Sequence, residues 1–204
     1  MLDNAKARRS ISRFVDPLAR LLLRLKITPD GITWFGCGAT IFVSAAFLAK
    51  GEFFIGALLF GLFSLIDVLD GTMARMLGSS GPWGAFLDST LDRISDSAVI
   101  CALIYFYAND GGSNSQLAAS AGIVALVMSL MTSYARAKAE SLDATCNVGI
   151  AERAERSLLL WISLLITALI TDVMHIALVL LAVVSTITVI QRILFVRKQL
   201  VLQA

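Results

Sequence analysis

The chain has 204 residues, 57% of them hydrophobic and only 16% charged. A soluble domain is roughly 45–50% apolar and about 25% charged, so this composition, gathered into blocks, predicts one integral membrane domain over residues 1–204. A net charge of +2 gives no footing to a nucleic-acid binder.

Residues 6–26 place Ile11, Phe14, Val15, Leu18, Leu22 and Leu25 at three- and four-residue spacing, with Arg9, Arg13, Arg20 and Arg24 largely on other faces. This pattern predicts an amphipathic helix lying in the membrane interface, bent or divided at Pro17. It makes 1–27 a cytoplasmic juxtamembrane element. Thr28-Pro29-Asp30 turns the chain into the first span. Six apolar segments follow, near 31–49, 52–75, 84–108, 116–138, 156–172 and 174–196. Each approaches the roughly 20 residues that a spanning helix needs. The expected fold is therefore all-α: an interfacial helix and then a six-helix transmembrane bundle over 28–204.

Lysine and arginine set the orientation. With a cytoplasmic N-terminus, Lys50 is the one basic residue in an outside loop, and the other 16 of 17 fall on the cytoplasmic side. Both termini are thus expected in the cytoplasm and the chain in the cell membrane. The start of the chain has no cleavable signal pattern. Cys37, Cys101 and Cys146 lack metal spacing and read as inert thiols.

The chemistry is carried by acids inside apolar runs. Asp67 and Asp70 are i,i+3, and Asp88 and Asp92 are i,i+4, so each pair shares a helix face. A carboxylate at membrane depth costs at least about 2.5–3.5 kcal/mol, and four of them demand compensation. Counting from Phe53 at about 1.5 Å per residue puts Asp67 about 21 Å into a core about 30 Å thick. Counting from Gly84 on the opposite course puts Asp92 about 12 Å in. The four converge in the cytoplasmic third of the membrane. Oxygen-only ligands suit Mg²⁺ or Mn²⁺ and argue against zinc. The competing arrangement, salt bridges to Arg75 and Arg93, sets two bases against four acids. Asp96 continues the series by four and is expected to pair with an arginine or a polar helix group. Buried acids also mark cation paths in transporters, but those sit at several depths.

The stretch Asp67-x₂-Asp70-Gly71-x₂-Ala74-Arg75-x₈-Gly84-x₃-Asp88-x₃-Asp92 resembles the signature of the CDP-alcohol phosphotransferase family, with every fixed position present. A prenyltransferase with D-x₂-D motifs leaves Gly71, Ala74, Arg75 and Gly84 unexplained. The resemblance implies a homodimeric inner-membrane enzyme that moves the phosphatidyl group of CDP-diacylglycerol onto an alcohol and releases CMP. It implies that Asp67, Asp70 and Asp88 hold the metal, with Asp92 as ligand or neighbour and general base. It assigns Gly71, Ala74 and Arg75 to the nucleotide and diphosphate. Asp30-Gly31-Ile32-Thr33 resembles the segment that approaches the CDP-lipid, and Ser80 joins it. Displacement at phosphorus suits two ions.

A second basic cluster addresses the acceptor. Ser133, Arg136 and Lys138 close the fourth span, Arg153 and Arg156 open the fifth at i,i+3, and Arg192 sits near the end of the sixth. Lys138 reads equally as a lipid-headgroup anchor. Several arginines suit an anionic acceptor. Gly149-Ile150-Ala151-Glu152-Arg153-Ala154-Glu155-Arg156, with Ser133-Tyr134 and Gln191-Arg192, resembles bacterial phosphatidylinositol-phosphate synthases, with Ala154 where those carry proline. The resemblance implies inositol 1-phosphate as acceptor, bound by Ser133, Arg136, Arg153, Arg156 and Arg192. The alternative acceptor is glycerol 3-phosphate, as in a phosphatidylglycerophosphate synthase.

Overall fold

The computed structural model describes residues 5–64, 66–78 and 81–202, with side chains from Val15 onward except at 67, 68 and 202. Its described secondary structure is helical throughout. The elements are α1 (Ala5–Arg24), α2 (Pro29–Ala46), a 3₁₀ turn (Leu48–Lys50), α3 (Phe53–Ser64), α4 (Ile66–Leu77), α5 (Pro82–Asp110), α6 (Ser115–Glu140), α7 (Arg153–Leu169) and α8 (Met174–Leu202).

Among the described residues, four helical stretches are long and apolar enough to cross a membrane: Pro29–Lys50, Phe53–Leu77, Ser115–Glu140 and Met174–Val201. The other two expected spans differ for physical reasons. α5 has 29 residues, about 43 Å, but Asp88, Asp92, Arg93 and Asp96 interrupt its apolarity. α7 has only 17 residues, about 25 Å. It begins at Arg153 rather than near 156. Glu152 is its N-cap, and the Glu152 N–H donates to Glu155 Oε2 at 2.7 Å in a capping box. That box starts the helix with Ala154 as its second residue.

The chain divides into two compact units, Met1–Val43 with Leu58–Ser95, and Ser44–Ala57 with Asp96–Ala204. In the first, α1 docks on α4 through buried Ala19, Leu69 and Met73, with Val15, Leu22, Leu23, Ile27 and Ile32 around them. The apolar stripe read from the sequence therefore packs partly against protein. α1 is continuous through Pro17 rather than divided. A proline removes only one backbone donor, and the docked face holds the turn. α2 starts with Thr28 as cap, its Oγ1 accepting from the Gly31 N–H at 3.1 Å, and with Pro29 at the first helical position. Cys37 of α2 packs on Leu87 and Leu91 of α5.

In the second unit α6 and α8 form the most extensive helix pair. Their cross-links, Ser129 to Ser185 at 3.3 Å and Thr132 O to Arg192 Nη1, advance together, so the helices run parallel. Buried Thr132 and Thr188 return their hydroxyls to their own helices, at Met128 O and Val184 O. A Cβ on Gly122 would stand 2.6 Å from Ile104, so glycine permits α6 to close on α5. Phe53, Phe106 and Tyr107 form an aromatic cluster, and Trp161 Nε1 donates to Ala57 O at 2.9 Å.

Candidate functional site

The first unit holds a cavity of about 510 Å³. Thr28, Asp30 and Thr33 enter it from the start of α2, Asp70, Gly71 and Ala74 from α4, and Trp83, Gly84 and Asp88 from the start of α5. Two halves of the acidic motif thus face one space. Asp70 is 6% exposed. Its Oδ2 accepts from Thr33 Oγ1 at 2.7 Å, and its Oδ1 accepts from the Gly71 N–H. Thr33 Oγ1 also lies 3.1 Å from Pro29 O. These donors fix the carboxylate plane. Gly71 leaves the wall open beside it, where a Cβ would meet only Arg75 Nη1 at 3.7 Å.

The candidate residues divide as follows. Asp30, Thr33, Asp70, Gly71, Ala74 and Asp88 share the cavity wall. Gly31 is spent on the α2 cap, and Ile32 packs against the α1–α4 cluster. Arg75 is exposed and donates to Thr72 Oγ1 at 2.9 Å. Asp92 stands one turn along α5 from Asp88, 11% exposed, with Arg93 at 3.9 Å. Arg93 also donates to Ser89 O. The side chain of Asp67 and all of Ser80 lie outside the described residues. Among the described residues no three Asp, Glu, His or Cys side chains meet closely enough to hold a metal ion. Asp70 and Asp88 nevertheless present an oxygen-only donor set to one cavity, which fits a hard divalent cation.

Sequence spacing missed Trp83. Its Nε1 donates to Asp30 Oδ2 at 2.9 Å, tying the start of α5 to the first turn of α2. The two are 53 residues apart, and neither periodicity nor charge links them. The one available signal was an indole beside Pro82 at a membrane boundary, where tryptophan is enriched.

In the second unit the arginines are held by backbone carbonyls and an acid. Arg192 is 5% exposed, donating through Nε to Val148 O at 2.9 Å and through Nη1 to Thr132 O. Arg156 is 8% exposed and donates to Ala151 O at 3.2 Å. Arg153 Nε pairs with Asp96 Oδ2 at 3.2 Å, the arginine partner expected for that acid. Arg192 therefore ties the loop before α7 to α6. Gly149 lets that loop pass: its φ is +150°, and a Cβ there would meet Thr188 Cγ2 at 2.6 Å. Ser133 is half-buried on α6. Arg136 is exposed and turned to Glu140 at 2.9 Å, an i,i+4 surface pair.

Known proteins are similar to this chain over most of its length. The family described as CDP-alcohol phosphatidyltransferase matches residues 26–195. A phosphatidylinositol phosphate synthase of Cutibacterium acnes is 39% identical over 207 residues, covering 97% of this chain and 98% of that protein. An archaetidylinositol phosphate synthase of Methanothermobacter thermautotrophicus is 40% identical, covering 93% and 92%. The crystal structure of a Mycobacterium tuberculosis phosphatidylinositol phosphate synthase with CDP-DAG bound superposes with a TM-score of 0.84 at 35% identity, covering 90% of this chain and 94% of that one. A second crystal structure of that enzyme, with manganese and citrate, also gives 0.84, covering 89% and 88%.

Proposed function

The chain belongs to the CDP-alcohol phosphatidyltransferase family, and from that membership we propose how its residues divide the work of making a phospholipid. It is a membrane enzyme that consumes CDP-diacylglycerol and forms phosphatidylinositol phosphate. The proposed acceptor is inositol 1-phosphate. Its hydroxyl forms the new P–O bond to the phosphatidyl phosphorus, the bond to CMP breaks, and CMP leaves. The observation that carries the site assignment is the cavity in which buried Asp70 and half-buried Asp88 meet the start of α2.

A divalent cation is part of this chemistry. Asp67, Asp70, Asp88 and Asp92 would hold Mg²⁺ or Mn²⁺, as two ions. When bound they would neutralise charge on the diphosphate and on the departing CMP. The chain's own residues do the rest. Thr33 and the Gly71 N–H orient Asp70. Asp92 accepts the proton of the acceptor hydroxyl. Gly71 and Ala74 admit the nucleotide closely, with Asp30, Arg75 and Ser80 around it and Gly31 and Ile32 setting the start of α2. Arg153, Arg156 and Arg192, with Ser133 and Arg136, hold the acceptor's phosphate. The carbonyl bonds of Arg156 and Arg192 preorganise these guanidiniums.

The same reading places six spans in the cell membrane, with α5 and α7 as the third and fifth and α1 along the cytoplasmic interface. The half-buried acids of α5 are tolerated there by serving the site, with Asp88 in the cavity wall. Both termini and the site face the cytoplasm, where CMP is released. The chain works as one catalytic domain over 1–204 and as a homodimer. The family match over 26–195 supports the single domain, since it runs through both units. Purified protein given CDP-diacylglycerol and a panel of phosphorylated alcohols tests the acceptor. Inositol 1-phosphate is expected to give the highest kcat/KM, and preference for glycerol 3-phosphate would reject it.

A further inference from the structure

Beyond the proposed active site, the second unit carries a groove of about 430 Å³ between parallel α6 and α8. Its apolar floor includes Met131, Val189 and Ile193, and its mouth includes Tyr134, Lys138 and Arg197. Lys138 and Arg197 are both exposed, and among the described residues neither side chain makes an ion pair or a hydrogen bond. No Asp or Glu lines the groove. The acid that ends α6, Glu140, is already engaged by Arg136 at 2.9 Å.

We propose that this groove binds one anionic phospholipid of the bilayer, its phosphate on Lys138 and Arg197 and an acyl chain along Met131, Val189 and Ile193. The walls belong to Ser115–Glu140 and Met174–Val201, two of the helices apolar enough to span. The occupant must therefore be apolar over most of its length and negative at one end. A diacyl lipid with an anionic headgroup meets both demands, and the tyrosine at the mouth suits the headgroup level. A second copy of the chain fits less well. A two-fold contact here would set each copy's Lys138 and Arg197 against the other's, like charge on like charge with no acid between. Of the arginines assigned to the acceptor, Arg153 and Arg156 are on α7; Arg136 of α6 is turned to Glu140, and Arg192, which lines the groove, has its guanidinium turned to the Val148 and Thr132 carbonyls.

The test uses the full chain in lipid nanodiscs of equal phosphatidylglycerol and phosphatidylcholine. Native mass spectrometry then reads the lipid retained after release. Two surface cations should favour the anionic lipid by about thirty-fold. Lys138→Gln with Arg197→Gln should bring the ratio near one and leave CMP release in detergent at the wild-type rate. Equal retention of both lipids by the wild type would overturn the proposal. An unchanged phosphatidylglycerol preference in the double variant would also overturn it. So would loss of the dimer in that variant at an unaltered lipid ratio, which would make the groove a contact between copies.

Discussion

Thr33→Val isolates the orientation of one carboxylate. Thr33 Oγ1 lies 2.7 Å from Asp70 Oδ2 and 3.1 Å from Pro29 O, while Asp70 Oδ1 keeps the Gly71 N–H. Valine preserves the shape and deletes that hydroxyl donor. A hydrogen bond to a charged group contributes about 1.5–3 kcal/mol. At about 1.4 kcal/mol per decade that is roughly a ten- to hundred-fold change, the range found when an outer partner of a metal ligand is removed. The assay is the initial rate of CMP release from metal-stripped protein titrated with Mn²⁺. The half-activating concentration should rise by that factor, with much of the rate recovered at saturation. Thr33→Ser, which keeps the hydroxyl, should stay close to wild type. A metal curve for Thr33→Val identical to wild type would refute the role given to Asp70 and its threonine.

Other perturbations separate the remaining assignments. Arg156→Gln should raise the Michaelis constant for inositol 1-phosphate by roughly ten- to hundred-fold through loss of a charged hydrogen bond. The constant for CDP-diacylglycerol should hardly move; the reverse pattern would misplace the acceptor pocket. Gly149→Ala combines a φ of +150° with a Cβ 2.6 Å from Thr188 Cγ2. It should cost about 1–3 kcal/mol and lower Tm by several degrees, read by a thermal melt in detergent. For topology, single cysteines at the exposed positions Asn109 and Asn147, with the native thiols replaced, face a membrane-impermeant maleimide. Asn109→Cys should label in intact cells and Asn147→Cys only after the cytoplasmic face is opened; the opposite result inverts the orientation.

The acidic motif was legible because both of its signals are local. Fixed gaps put Asp67 with Asp70 and Asp88 with Asp92 on helix faces, and the surrounding apolarity made their charge costly. Asp96, four residues beyond Asp92, takes Arg153, one of the two kinds of partner expected for it. What spacing could not supply was long-range partnership. Thr33 reaches Asp70 across 37 residues and Trp83 reaches Asp30 across 53. Neither contact leaves a period in the chain. α7 starts three residues before the apolar run at 156, because Glu152 and Glu155 form a cap that apolarity does not register. Cys146, in a polar stretch, is only 1% exposed because it packs with Ala139 and Ala144 under Val196 and Leu200. Burial of that kind comes from the return of α8, which no local window contains.

The central claim is that acids of the Asp67–Asp92 segment drive transfer from CDP-diacylglycerol to inositol 1-phosphate. Its most direct measurement follows ³¹P resonances of purified protein in mixed micelles with both substrates and Mg²⁺, for wild type and Asp92→Asn. Wild type should convert the diphosphate signals into CMP and a phosphodiester in equal amounts. Chelator should stop this, and Asp92→Asn should remain folded and release no CMP. Near-normal turnover by Asp92→Asn, or CMP release unaffected by chelator, would contradict it.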